Sequence, residues 1–125
     1  MKKEIIICVL IIIVIIIGDV CLQKYTNNFL NTINYKLSDM KNTLDNECVS
    51  KNKIDEINNY CDEKFNLLAC FLEHNELEKI KTQLVIINSG IEVKDTEYLH
   101  EEIDRAIYLI KHIKDKQSLK LDNIF

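Results

Sequence analysis

An unbroken apolar run near the start of the sequence constrains the fold more than any other feature. Thirteen apolar residues extend from Ile5 to Ile17. A helix from Ile5 to Leu22 would be about 27 Å long at 1.5 Å per residue, which nearly spans the ~30 Å hydrocarbon core of a bilayer. Because the run has no polar face, the sequence predicts a transmembrane helix and not a core helix of a soluble protein.

This segment could be a membrane anchor, a cleaved signal peptide or a lipoprotein signal. Lys2 and Lys3 before an apolar run also begin an export signal, and a lipoprotein signal would end with a lipid on Cys21. Cleavage of a signal peptide needs small residues just before the cleavage site. Lipidation needs a small residue immediately before the modified cysteine, but Val20 precedes Cys21. We therefore favour an uncleaved, single-pass signal-anchor. The two lysines predict a cytoplasmic amino terminus and an extracytoplasmic domain in the cell membrane.

Apolar residues recur every three or four positions along the rest of the chain, as on one face of a helix. The first stripe consists of Leu30, Ile33, Leu37, Met40 and Leu44. Three more stripes lie within residues 54–72, 77–87 and 99–113. They predict an all-α fold, in which an N-terminal transmembrane helix (1–22) continues into a small antiparallel bundle of about four helices (23–125).

Local signals predict where the helices end. We expect the first helix to continue to about Glu47, because no breaker separates it from the anchor. The other predicted cap residues are Ser50, Asn75 with Glu78, Gly90 and Asp95. The last residues, SLKLDNIF, leave the stripe pattern and are expected to fold back onto the bundle.

The charge pattern argues against nucleic acid as a partner. The formal net charge is −4, and positive and negative side chains alternate, whereas nucleic-acid binding needs a basic face. The sequence also has no polybasic cluster for anionic lipid. The predicted membrane contact is therefore the apolar segment of residues 5–22 itself.

Few side chains suggest chemistry. Cys70 and His74 are four positions apart, and on one helical face they would be weak metal-ligand candidates. His100 and Asp104 have the same spacing, but no nucleophile accompanies them. The sequence has no glycine-rich phosphate loop. We therefore expect no catalytic residue, no cofactor and no enzyme activity.

Cysteines and acidic residues give two further expectations. Cys48, Cys61 and Cys70 would lie outside the membrane, and Cys61 lies on an apolar stripe, which predicts burial as a small hydrophobic residue. Cys48 could form a disulfide with Cys61 or Cys70 across a turn. The neighbouring pair Glu101-Glu102 is expected on the surface.

The carboxyl-terminal half carries a family resemblance. Its features are His74 with Glu76, then Asp95, the pair His112-Ile113, and LDNIF at 121–125. From about Phe71 to Phe125, and in the plan of the anchor, the chain resembles small bacterial proteins catalogued as domain of unknown function 4363. The resemblance implies one anchor followed by helices, and an accessory role beside multispanning membrane proteins. It implies no catalytic residues.

Two functions fit these observations. The first is a noncatalytic, membrane-anchored interaction or accessory module on the outer face of the membrane. Its partner would be a multispanning membrane protein, or a second copy that contacts the anchor and the stripe from Leu30 to Leu44. The alternative is a ligand- or metal-sensing ectodomain that uses Cys70 and His74.

Overall fold

The computed structural model describes the backbone of residues 1–70 and 72–124, and the side chains of residues 1–70 and 72–118. Four helices make up this part of the chain, and it contains no strand. They are α1 (Lys2–Lys41), α2 (Glu47–Leu68), α3 (His74–Val93) and α4 (Thr96–Ile124). The predicted all-α class, with a long apolar helix leading into a four-helix bundle, is confirmed.

The helices form a closed ring in which each packs on two neighbours. α1 contacts α2 and α4, and α3 contacts the same two helices. Because the connections at 42–46, 69–73 and 94–95 are short, successive helices are antiparallel. The connections at 42–46 and 94–95 lie at the end of the bundle far from the apolar run, and the connection at 69–73 lies at the near end.

The first apolar stripe lies in the core of this ring. Leu30, Ile33, Leu37 and Met40 are fully buried, and Leu44 is 7% exposed. They share one hydrophobic cluster with apolar side chains of α2, α3 and α4. The stripe therefore packs within its own domain. These five side chains are enclosed by the bundle, so the alternative in which they form an exposed interface does not fit the structure.

The two halves of α1 have different surroundings. Ile5, Ile17 and the apolar residues between them are exposed, whereas Leu22 is half-buried and regular burial begins at Thr26. Within the described residues, α1 is the one helix long and apolar enough to cross a membrane. A signal sequence would satisfy the same criterion of length and composition. No part of the apolar window is buried in the bundle.

The connection between α1 and α2 differs from the prediction. α1 ends at Lys41, before the expected end at Glu47. Asn46 caps α2, because its side-chain oxygen accepts a hydrogen bond from the Val49 N–H at 3.2 Å. Ser50, the predicted cap, is buried inside α2 and donates its hydroxyl to the Thr43 carbonyl at 2.8 Å. This hydrogen bond joins the start of α2 to the connection at 42–46.

The two ends of α3 also differ from the prediction. α3 begins at His74 with Glu73 as its N-cap residue, so Asn75 lies inside the helix and does not cap it. At the other end the helix continues past Gly90, and Lys94 takes the left-handed conformation with φ 63°. The prediction that Gly90 ends α3 is therefore wrong.

Gly90 lies where side chains of α4 pack closely against the backbone of α3. A Cβ atom at this position would lie 2.8 Å from Leu99 Cδ2 and 3.1 Å from Tyr98 Cδ1, both on α4. The shorter of these distances is below the range of real Cβ contacts, so a side chain here would force the Leu99 and Tyr98 side chains to shift. A glycine inside a helix costs about 1 kcal/mol relative to alanine, and the close approach explains its use here.

The fourth helix agrees with its predicted start. Asp95 caps it, because the Asp95 side chain accepts a hydrogen bond from the Tyr98 N–H at 3.0 Å. The helix then continues without a break to Ile124. The side-chain contacts expected for residues 119–125 lie outside the described residues.

Candidate functional site

A groove of about 470 Å³ lies between α3 and α4 on the outer surface of the bundle. Its lining residues come from two turns of each helix: Glu78, Lys79, Thr82 and Gln83 of α3, and Arg105, Tyr108, Leu109 and His112 of α4. We call these eight residues the α3–α4 groove. None of them lies on the apolar stripes that form the core, so the groove is the outer edge of the contact between the two helices.

Tyr108 is the most prominent apolar feature of the α3–α4 groove. Its side chain is 72% exposed, and its neighbour Leu109 is half-buried against the core. Lys79 and Arg105 add two cationic residues to the lining. Aromatic residues and arginine are enriched in the centres of protein interfaces, so this combination suits contact with another protein.

A buried carboxylate stabilises the floor of the groove. Glu102 is 3% exposed, and Gln83 donates hydrogen bonds from Nε2 to its Oε2 at 2.7 Å and to its backbone carbonyl at 3.0 Å. Arg105 lies 3.1 Å from the other carboxylate oxygen. Both oxygens of this buried carboxylate therefore have partners, as buried polar groups require.

A second buried carboxylate lies on the same helix pair, closer to the end of the bundle that adjoins the apolar run. Lys116 Nζ of α4 lies 3.0 Å from Glu76 Oε1 of α3, and Glu76 is buried. Hydrogen bonds from Lys116 to Glu76 and Glu73 raise the pKa of the lysine. The other oxygen of Glu76 has no hydrogen-bond partner within the described residues. These contacts hold the start of α3 against α4.

The sequence-based reasoning missed both buried glutamates. Glu102 was expected on the surface with Glu101, and that expectation is wrong for Glu102 only, since Glu101 is exposed. The spacing of the residues could have indicated this burial. Glu76, Gln83 and Gly90 are seven positions apart, as on one face of a packed helix. Glu102, Leu109 and Lys116 on α4 have the same spacing.

The structure separates the two weak metal-ligand candidates. α2 ends at Leu68 and α3 begins at His74, so Cys70 lies in the connection and does not share a helical face with His74. His74 instead lies 3.5 Å from Glu78 on its own helix, and both are exposed. The described residues contain no group of three or more His, Cys, Asp or Glu that could hold a metal ion.

Asp104, the acidic member of the pair His100 and Asp104, has a partner on another helix. Asp104 accepts a hydrogen bond from Lys41, the last residue of α1. This contact joins the neighbouring helices α1 and α4. The carboxylate therefore has a structural partner on another helix.

The cysteines are all free thiols. Cys61 is buried as predicted, and burial, helped by the nearby Asp62 charge, raises its pKa to about 12. Cys48 lies on the same helix, and thirteen residues of α-helix separate the two by about 20 Å, so they cannot form the disulfide considered above. Cys48 and Cys70 lie at opposite ends of α2 and cannot pair either.

Comparison with family models matches residues 20–124 to a family described as Domain of unknown function (DUF4363). The match begins where the apolar run ends and covers the whole bundle. No curated protein and no solved structure matches the chain.

Proposed function

The chain belongs to the DUF4363 family, and proceeding from that membership we propose that it is a noncatalytic, membrane-anchored module that docks a membrane protein on its α3–α4 groove. The observation that carries the proposal is the continuity of α1. One uninterrupted helix joins the exposed apolar run to the buried core of the bundle. The bundle is thereby held at a fixed height above the bilayer.

The exposed apolar surface of α1 supports the anchor. Transfer of one exposed isoleucine to apolar surroundings contributes roughly 1.5–3 kcal/mol, and the segment has many such residues. The one acidic side chain near its end, Asp19, would cost about 3 kcal/mol even at the bilayer centre. Insertion is therefore favoured by a wide margin. Lys2 and Lys3 favour a cytoplasmic amino terminus, and this supports a position of the bundle on the outer face.

The height of the groove above the bilayer limits which membrane proteins could reach it. The contacts of α4 with α1 place Tyr108 near Leu37 in height, since Lys41 contacts Asp104 and Asn31 contacts Lys114. Leu37 lies roughly 20 Å above Leu22 along the helix axis. A partner confined to the same membrane must therefore extend that far above the bilayer. We propose that it does so with an amphipathic helix, which fits the groove between two antiparallel helices.

Co-purification in mild detergent tests this function. The full chain, tagged at its carboxyl end, is isolated from its native membrane as wild type and as Tyr108→Glu, and co-eluting proteins are identified and quantified by mass spectrometry. We expect a stoichiometric integral membrane protein with the wild type, and its loss with Tyr108→Glu, because the charge would lie in the apolar contact.

Tyr35→Glu is the matched control. Tyr35 is 74% exposed, close to the value for Tyr108, but it lies on α1, beside α2 and away from the groove. Its substitution should leave the partner bound. Equal loss in both variants, or recovery of nothing except a second copy of the chain, would contradict docking of a membrane protein at the α3–α4 groove.

A further inference from the structure

We propose that the near end of the bundle forms a second membrane contact, in which Leu67 and the carboxyl end of α4 lie in the lipid headgroup layer beside α1. We call this end of the bundle the base. The proposal rests on the anchored function proposed above, and extends it to a domain that is held against the bilayer at more than one point.

The bundle begins immediately after the apolar run. Cys21 is exposed, Leu22 and Gln23 are already half-buried, and Thr26 is buried. Only about one helical turn therefore separates the end of the exposed segment from the first packed residues. No flexible linker lifts the bundle away from the membrane, because α1 is helical throughout.

Contacts between α1 and α2 place Leu67 at this height. Phe29 stacks on Tyr60 with ring centroids 5.6 Å apart, and Lys64 Nζ lies 5.8 Å from the centre of the Tyr25 ring. Leu67 is one turn further toward the base, level with about Leu22. It is 48% exposed, so an apolar side chain faces outward where the bilayer would begin.

The fourth helix reaches the same level. Asn31 contacts Lys114 and Lys41 contacts Asp104, so a step along α1 matches an equal step along α4. If equal steps continue along both helices, the backbone at Ile124 lies level with Cys21. α4 is helical to that residue, and its final turns contain Leu119, Leu121 and Ile124 in the sequence.

The thickness of the bilayer places this level within the headgroup layer. The hydrocarbon core is ~30 Å thick and the whole bilayer ~40–45 Å, which leaves about 5–7 Å of headgroups on each side. The segment from Ile5 to Leu22 spans about 27 Å. The level of Leu22 therefore lies at the edge of the hydrocarbon core. Tyr25 and Lys64, one turn higher, are residue types common in that layer.

Tryptophan fluorescence tests the proposal directly, since the chain contains no tryptophan. Leu67→Trp is compared with Val93→Trp, an exposed apolar position at the opposite end of the bundle. Each full-length variant is reconstituted into phosphatidylcholine vesicles with and without bromine-labelled acyl chains. We expect emission from position 67 to be blue-shifted and quenched by the bromine, and emission from position 93 to be neither.

A third variant, Val14→Trp, separates this proposal from the anchor on which it rests. Val14 lies in the middle of the apolar run and should be strongly quenched. Strong quenching at position 14 together with a position 67 that behaves like position 93 would overturn the base contact alone. Absence of quenching at position 14 would overturn the anchor and the base contact together.

Discussion

Gln83 of α3 donates two hydrogen bonds to Glu102 of α4, one to the carboxylate and one to the backbone carbonyl. One amide side chain therefore joins the two helices beneath the α3–α4 groove. A buried polar contact of this kind fixes which residues face each other, because a shift of either helix would break both hydrogen bonds from Gln83 to the buried Glu102. The shape of the groove depends on that alignment.

Removal of the amide should destabilise the fold. Gln83→Ala leaves the Glu102 carboxylate with Arg105 as its remaining described partner, so we expect a loss of about 1–3 kcal/mol in the free energy of unfolding. Denaturant unfolding of the full chain in mild detergent measures it. Thr82→Ala, at the exposed neighbouring position, should change stability by less than about 0.5 kcal/mol. Equal effects of the two substitutions would refute the role of the amide.

Alanine at Gly90 should lower stability, although alanine favours helix. Helix propensity would contribute about 1 kcal/mol, but overpacking against Leu99 and Tyr98 costs typically 1–3 kcal/mol. We expect a net loss of about 1 kcal/mol by the same unfolding measurement. Gly18→Ala is the control, because no atom lies within 4 Å of a Cβ there. A gain in stability at Gly90 would show that the close approach is not restrictive.

Charge at the first apolar stripe should unfold the bundle and not merely detach a partner. Leu37 is fully buried, and an unpaired carboxylate there would be left in the core. We expect Leu37→Asp to abolish cooperative unfolding, followed by circular dichroism. Tyr35→Asp, two positions away on the surface, should leave the transition intact. A folded Leu37→Asp variant would restore the stripe as an interface.

The Cys61 thiol should make stability depend on alkaline pH. Its pKa rises from 9.0 to about 12 on folding, so above pH 9 the unfolded chain releases a proton that the folded chain retains. The stability contribution is present below the unfolded pKa and is lost as pH rises, at up to about 1.4 kcal/mol per pH unit. Unfolding of wild type and Cys61→Ala at about pH 8 and about pH 10.5 isolates it. Equal pH slopes would contradict the shift.

The sequence was sufficient for the helices, their buried faces and the Asp95 cap of α4, and insufficient for most of the other helix ends. Spacings of three and four residues identify an apolar face locally, which is why Leu30, Ile33 and Leu37 could be assigned to one stripe. Helix ends depend on contacts from elsewhere in the chain. Ser50 resembles a cap, yet its hydroxyl closes the preceding connection, and Gly90 resembles a terminator, yet α4 packs on it.

The candidate site was harder to predict for the same reason. Glu102 is charged and has a charged neighbour, which is typical of a surface position. Its burial depends on Gln83, on a different helix, and no local pattern reports that pairing. The α3–α4 groove arises where the outer edges of two separate stripes meet, so it has no continuous sequence motif.

The intact mass of the protein recovered from its native membrane decides whether the apolar run is a retained anchor. The anchored account predicts a membrane-bound chain of full length, 14.7 kDa, that keeps Ile5 to Leu22 and has an unmodified Cys21. A chain that begins after the apolar run and is released in soluble form would contradict the anchor. A chain that begins at a lipid-bearing Cys21 would replace the helical anchor with a lipid.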